Sequence, residues 1–338
     1  MAYRLHPEKT FSDSVKAVAS SQLTKAIELL ADHARGPHEA VHDARKRFKR
    51  LRALYLLVAP GDKTFRKREN ARIRNMAQTL SAVRDATALV ETVDYLCSLA
   101  GSPEELSALT AASATLAQRR DRIAAEEHDL PARMEAATAT CREAIVALDD
   151  LSLDAGRRRT ARMLEKSWKK QRRRALAALK ECHDNAHAEA FHELRKTGQT
   201  YWMHLALLGG IWPSAMRAKQ NEAKRLVDLL GHEHDLSVLT QLVNESPELF
   251  GDSETLARIL GAIIIRQQSL RQETLPIAEK VFGDDPAVEG DIIGRLWIEA
   301  SRRTQPKARK SREKRKPPKA ANGAASAAVA LQIDQAAE

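Results

Sequence analysis

The chain has 338 residues, of which 43% are hydrophobic and only 4% aromatic, with 14 Gly, 12 Pro and a formal net charge of +10. That apolar content suffices for a core, and a composition rich in Ala, Leu, Arg and Glu argues for an all-α fold over a strand-rich one. Three scattered cysteines, Cys97, Cys141 and Cys182, give neither a disulfide framework nor CxxC metal spacing, and the N-terminus lacks the apolar run of a signal peptide while no stretch approaches a membrane span, so a reduced, soluble, cytoplasmic protein without membrane partners is expected.

Helical periodicity and its breakers predict a first helix over residues 12–32, a second over 38–59, a third over 64–99 and a fourth over 103–148. Gly36-Pro37, Pro60-Gly61 and Gly101-Ser102-Pro103 separate them. A second set is predicted over 156–183, 186–208, 214–245 and 254–281, and a last helix over 286–303 stands without a counterpart in the first set. Short connections make consecutive helices antiparallel neighbours, so two four-helix units, residues 10–154 and 155–303, are the economical architecture. Residues 304–338 hold the block KARKSREKRKPPK and an Ala-rich end, neither able to bury a core, and a disordered, polyanion-attracting tail is expected there.

One unit is used twice. His42, Arg45 and Lys46 return 150 residues later as His192, Arg195 and Lys196, and the interval from His42 to Asp85 equals that from His192 to Asp235, 43 residues. Leu29 matches Leu179, His33 matches His183, Leu80 matches Leu230 and Leu89 matches Leu239 at the same offset, which holds two helices in register.

Charge is sorted within each unit. Residues 42–74 carry twelve Lys/Arg against three acids and residues 157–180 eleven against one, whereas 75–156 and 228–301 each carry fourteen acids against six and five cations. A solvated surface intersperses the signs, so this segregation points cations at a shared anion, with basic helices merely pairing with acidic neighbours as the competing account. On a wheel, His42, Arg45, Lys46, Lys49 and Arg52 form one stripe and Ala44, Phe48, Leu51, Leu54, Tyr55 and Val58 the opposite face. The stripe runs about 15 Å and its guanidinium and ammonium groups suit phosphates.

In the second unit Gln199 and Trp202 stand where Lys49 and Arg52 would be. The preceding helix offers compensation through Arg157, Arg158, Arg159, Lys170 and Arg172, with Arg162, Lys169 and Arg173 as its binding candidates. Each histidine sits beside cations and is biased toward its neutral form. Asp85 and Asp235 are expected to cap or pair with basic residues, not to form a catalytic pair. His-Asp dipeptides at His42, His183 and His234 invite comparison with metal-dependent phosphohydrolases, and His183 and His187 have i, i+4 spacing, but HExxH, P-loop and GxGxxG motifs are absent and no cofactor is expected. Nucleic-acid binding by the basic surface and tail is the stronger alternative, and a scaffold in which charge sorting serves only assembly is a third.

The phrases VHDARKRFKRLRALYLL and LSAVRDATAL, with FHELRKTGQTYWMHLALL and LGHEHDLSVL, together resemble the CHAD family, the conserved histidine α-helical domain, over roughly residues 10–300. The resemblance implies two four-helix bundles related by a pseudo-twofold axis, a basic central cavity or pore that binds inorganic polyphosphate without catalysis, and association with polyphosphate granules in the prokaryotic cytoplasm. By position, His42, Arg45, Lys46, Lys49, Arg52, His192, Arg195 and Lys196 would face the polymer, joined by Arg72, Arg74, Lys224 and Arg225 of the third helices. Some relatives also carry a triphosphate-hydrolysing CYTH domain, whose Glu-x-Glu-x-Lys strand motif is absent here, so the binding module alone is implied.

Overall fold

Eleven α-helices and two short 3-10 turns make up the regular structure of the computed structural model, which describes residues 3–32, 34, 36–80, 82–153 and 156–303, without the side chains of residues 82 and 83. No strand occurs among these residues, as the composition predicts. The expected tail from residue 304 and the His33 match to His183 lie outside the described residues.

Most helix starts follow local capping chemistry, in which a side-chain oxygen or ring nitrogen satisfies an amide orphaned in the first turn. Thr10 caps α1 (Phe11–Ala31), Asp62 caps α3 (Lys63–Gln78), Ser102 caps α5 (Pro103–Glu126), His187 caps α8 (Ala188–Leu207) and Asp252 caps α10 (Ser253–Phe282). The remaining helices are α2 (Pro37–Val58), α4 (Ala82–Cys97), α6 (Leu130–Val146), α7 (Arg157–Asn185), α9 (Pro213–Glu245) and α11 (Pro286–Arg303). Gly36 precedes α2 at φ 97°, a backbone conformation open to glycine, and Pro37 then opens the helix where its missing N–H costs nothing.

Two predicted helices are each divided. The span 64–99 breaks after Gln78, where two carbonyls of the broken turn find distant partners: Arg45 of α2 donates to Ala77 (2.7 Å) and Arg133 of α6 donates to Thr79 (2.8 Å). The span 103–148 ends at Glu126 and restarts at Leu130, because Pro131 has no amide hydrogen to continue the preceding helix and is tolerated in the first turn of the next. Arg133 ties this corner by pairing with Glu127 (2.5 Å) and Asp129 (2.8 Å).

The second break changes the bookkeeping of the duplication. α6 packs on α1 as α11 packs on α7, so the helix over 286–303 does have a counterpart, and it is α6. α3 and α4 together correspond to the unbroken α9, and α5 to α10.

Buried apolar side chains form two clusters, each fed by both halves of the chain. The larger joins Phe48, Leu51 and Leu54 of α2 to Leu194 and Leu205 of α8 and Trp168 of α7. The smaller is a four-helix arrangement of α4 and α5 with the end of α9 and the start of α10, through residues such as Val93, Leu109, Leu239 and Ile263. Across the halves, Ser167 Oγ donates to the Leu56 carbonyl (3.1 Å), and His204, fully buried, bonds through Nε2 to the Ala53 carbonyl (2.9 Å). Burial pushes the His204 imidazole down to about 4, with the Ala53 bond opposing, so this histidine is a neutral structural donor.

A buried ionic knot holds α7, α8, α9 and α11. Arg172, 1% exposed, pairs with Glu289, 5% exposed. Glu289 also accepts from the Tyr201 hydroxyl (2.8 Å) and from Lys219 (3.3 Å), while the Arg172 guanidinium lies over the rings of Tyr201 (5.3 Å) and Phe282 (5.0 Å). Arg172, named above among the compensating cations, is thus a core residue paired with Glu289. Among the described residues no helix is long and apolar enough to cross a membrane.

Candidate polyanion cavity

α2 and α8, the two helices that carry the repeated motif, cross near the middle of the larger cluster. Their polar faces, flanked by α3 and α7, enclose a cavity of about 310 Å³. α2 contributes Lys49 and Arg52, α3 contributes Arg66 and Asn70, and α7 contributes Gln171 and Arg174. Lys196, Thr197, Gln199 and Thr200 supply the wall from α8. Five cations therefore meet in one concavity whose lining, among the described residues, holds no carboxylate, histidine, cysteine or aromatic ring.

The crowding of like charges shows in their electrostatics. Lys49 touches water yet is ringed by protein, and burial together with Arg195, Arg45 and Arg84 lowers its ammonium to about 8, with Asp235 opposing. Burial is the main cause that lowers the Arg52 guanidinium, followed by Arg74 and Arg66. Arg52 donates to Asn70 Oδ1 (3.0 Å), whereas the buried Nε of Arg66 and that of Arg195 have no hydrogen-bond partner. Buried donors without acceptors are costly, and a phosphate oxygen is the acceptor that suits a guanidinium.

Behind the cavity the motif histidines sit in two different settings. His192 Nδ1 meets His234 Nδ1 at 3.1 Å with the rings stacked at 4.4 Å. Burial, then Arg195, His192, Lys49 and Lys196, hold His234 at about 4. In the first half Arg84 takes the place of His234, and burial followed by the Arg84 and Lys46 charges lowers His42. Asp235 is half-buried among Arg195, His232, Arg84 and Lys49; burial raises its carboxyl and those cations oppose the rise. Asp235 makes no ion pair among the described residues and lies only within electrostatic reach of those cations, while Asp85 is exposed.

The sequence candidates divide accordingly. Lys49, Arg52 and Lys196 line the cavity and Arg195, Arg45 and Arg74 lie within electrostatic reach of it. Lys196 is shared with Glu193 and Glu189. Lys46 turns to Asp43 (2.9 Å) and Lys224 to Asp228 (2.6 Å), both on the surface. Arg72 points to the other side of α3, ion-paired with the fully buried Glu69 (3.0 Å) and hydrogen-bonded to Glu143 of α6 (2.6 Å). Arg225 is exposed on α9, and Arg162, Lys169 and Arg173 lie on the outer face of α7, where Lys169 pairs with Glu165. Arg66 and Arg174 went unselected in the sequence; both sit inside basic runs whose phase toward the cavity only packing reveals. His183 and His187 are spent on Glu279 (3.1 Å) and on the cap of α8, and among the described residues no three His, Cys, Asp or Glu side chains cluster as a metal site would require.

Fold and cavity together define an internally duplicated, all-helical domain with a cationic hollow at the junction of its halves. The model of the CHAD domain family matches residues 18–244, and the chain belongs to that family. Among solved structures it is similar to the CHAD domain from the plant Ricinus communis, with a TM-score of 0.59 and 19% identity over 84% of this chain and 95% of that one; at such identity the likeness speaks for the fold. No curated protein matches the chain.

Proposed function

We propose that this protein binds inorganic polyphosphate in the central cavity, acts as a binding module and not as an enzyme, and associates with polyphosphate granules. The observation that carries the reading is the convergence of Lys49, Arg52, Arg66, Arg174 and Lys196 on one hollow without a carboxylate in its described lining. Amides and hydroxyls from Asn70, Gln171, Thr197 and Thr200 add uncharged donors, which suits an anion that is dense in acceptors and has no apolar surface. A lining without a carboxylate, histidine or cysteine among the described residues supports binding over turnover.

Nucleic acid is the second reading, since any cationic surface attracts a phosphate polymer. Proteins that hold single-stranded nucleic acids add aromatic stacking platforms to a cationic groove, and no aromatic ring lines this cavity among the described residues. Capture of the full chain on polyphosphate beads at graded salt tests the choice. Retention is expected to fall steeply as salt rises, to weaken in the Lys49→Ala, Lys196→Ala double variant, and to resist competition by single-stranded nucleic acid at equal phosphate concentration. Displacement by nucleic acid as effective as by free polyphosphate would overturn the assignment.

A further inference from the structure

The central cavity does not end at its own rim. Its walls Arg66, Gln171 and Arg174 also line a second hollow toward the start of α3, which adds Lys63, Lys166 and Lys170. Lys166, Lys170 and Arg174 then line a third hollow on the outer face of α7, and Arg162 links that one to a fourth at the helix start beside Arg302. Arg162, Lys166, Lys170 and Arg174 follow one another at intervals of four residues, a spacing at which like charges face each other and repel. The stripe spans about 18 Å, and the one acid in these linings, Glu165, is already bonded to Lys169. Lys166, Lys170 and Arg174 have no ion pair among the described residues.

The duplication supplies an internal control. The corresponding positions of α1 are Ser12, Lys16, Ser20 and Thr24, so the opposite flank carries one cation where this one carries four. A stripe kept only for solubility has no reason to be continuous with the cavity, without an ion pair to any of Lys166, Lys170 and Arg174, and confined to one half.

We propose that a polyphosphate chain held in the cavity continues outward along α7, so that the binding path is asymmetric and the outer stripe is a second, contiguous subsite for the same polymer. This rests on the function proposed above. The exposed residues Arg162, Lys166 and Lys170 lie outside the cavity lining, and alanine favours helix at each. The test uses the full chain and long-chain polyphosphate, and compares wild type with the Arg162→Ala, Lys166→Ala, Lys170→Ala variant. An equal-charge control removes the exposed cations Lys9, Arg122 and Arg142, and circular dichroism checks helicity in each.

The α7 variant is expected to bind about tenfold more weakly at physiological salt and to lose about two from the slope of log affinity against log salt, as for three lost contacts to a single-stranded polyanion; the control stays near wild type. Equal losses in both variants would reduce the stripe to net charge and overturn the proposal, as would unchanged polyphosphate binding in the α7 variant alongside lost oligonucleotide binding. Failure of the wild-type chain itself to bind polyphosphate would instead remove the functional reading on which the proposal stands.

Discussion

Lys49 offers the sharpest test, because its neighbours lower its ammonium from an ordinary 10.5 to about 8. A bound phosphate oxygen supplies the counter-charge that Arg195, Arg45 and Arg84 deny it, so the polymer raises this value and takes up a proton when it binds above pH 8. Affinity must then fall as pH rises through the interval between the two values. One coupled proton limits the fall to about tenfold per pH unit. Lys49 faces water in the cavity, and solvent screening trims the full effect to about tenfold overall between roughly pH 7.5 and 9.5. Calorimetric titration with polyphosphate across that range, in buffers of differing ionisation enthalpy, reads both the affinity and the proton uptake. Lys49→Arg, charged throughout, should keep the affinity and lose the pH dependence, and Lys49→Met should weaken binding and flatten the profile. A wild-type affinity level to pH 9.5, or the same slope in Lys49→Met, would refute the placement of Lys49 against the polymer.

On the acid side, His234 is held at about 4 in the free protein; a polyanion favours its protonated form, so affinity should rise as pH falls from about 7 toward 5 and His234→Ala should blunt that rise, a profile read by fluorescence anisotropy. Glu289→Ala leaves the buried Arg172 unanswered and should cost roughly 3–5 kcal/mol in denaturant unfolding, while a loss under 1 kcal/mol would show that the knot contributes little. Gly290→Val would place a Cβ 2.6 Å from Lys169 Cγ and 3.2 Å from the Glu165 carbonyl, and overpacking of the α7 and α11 contact should destabilise by about 1–3 kcal/mol, measured in the same way. Reversal of Arg45 and Lys46 to Glu, the variant the motif first suggests, should impair folding as well as binding, since Arg45 closes the end of α3 at Ala77; thermal unfolding of the two single variants would separate the effects.

The register of the duplication and the cationic face of α2 were legible in the sequence because both depend on local periodicity. Pro131 is a stop signal inside the long predicted fourth helix, and the break beside it makes α6 the mate of α11. The break after Gln78 had no such mark: the carbonyls it exposes are satisfied by Arg45 and Arg133 from elsewhere in the chain. The same distance effect hid the fate of individual cations. Arg172 and Arg174 are two residues apart on α7, yet one is sealed against Glu289, 117 residues away, and the other opens into the cavity. Arg72 looks like a phosphate ligand until Glu69 and Glu143 are seen beside it.

A crystal structure of the full chain grown with polyphosphate tests the central claim most directly. A chain of tetrahedral density passing Lys49, Arg52 and Lys196, with Arg66 Nε donating to one of its oxygens, is the result this account requires. Ordered polymer bound elsewhere, with that hollow occupied by water alone, would contradict it.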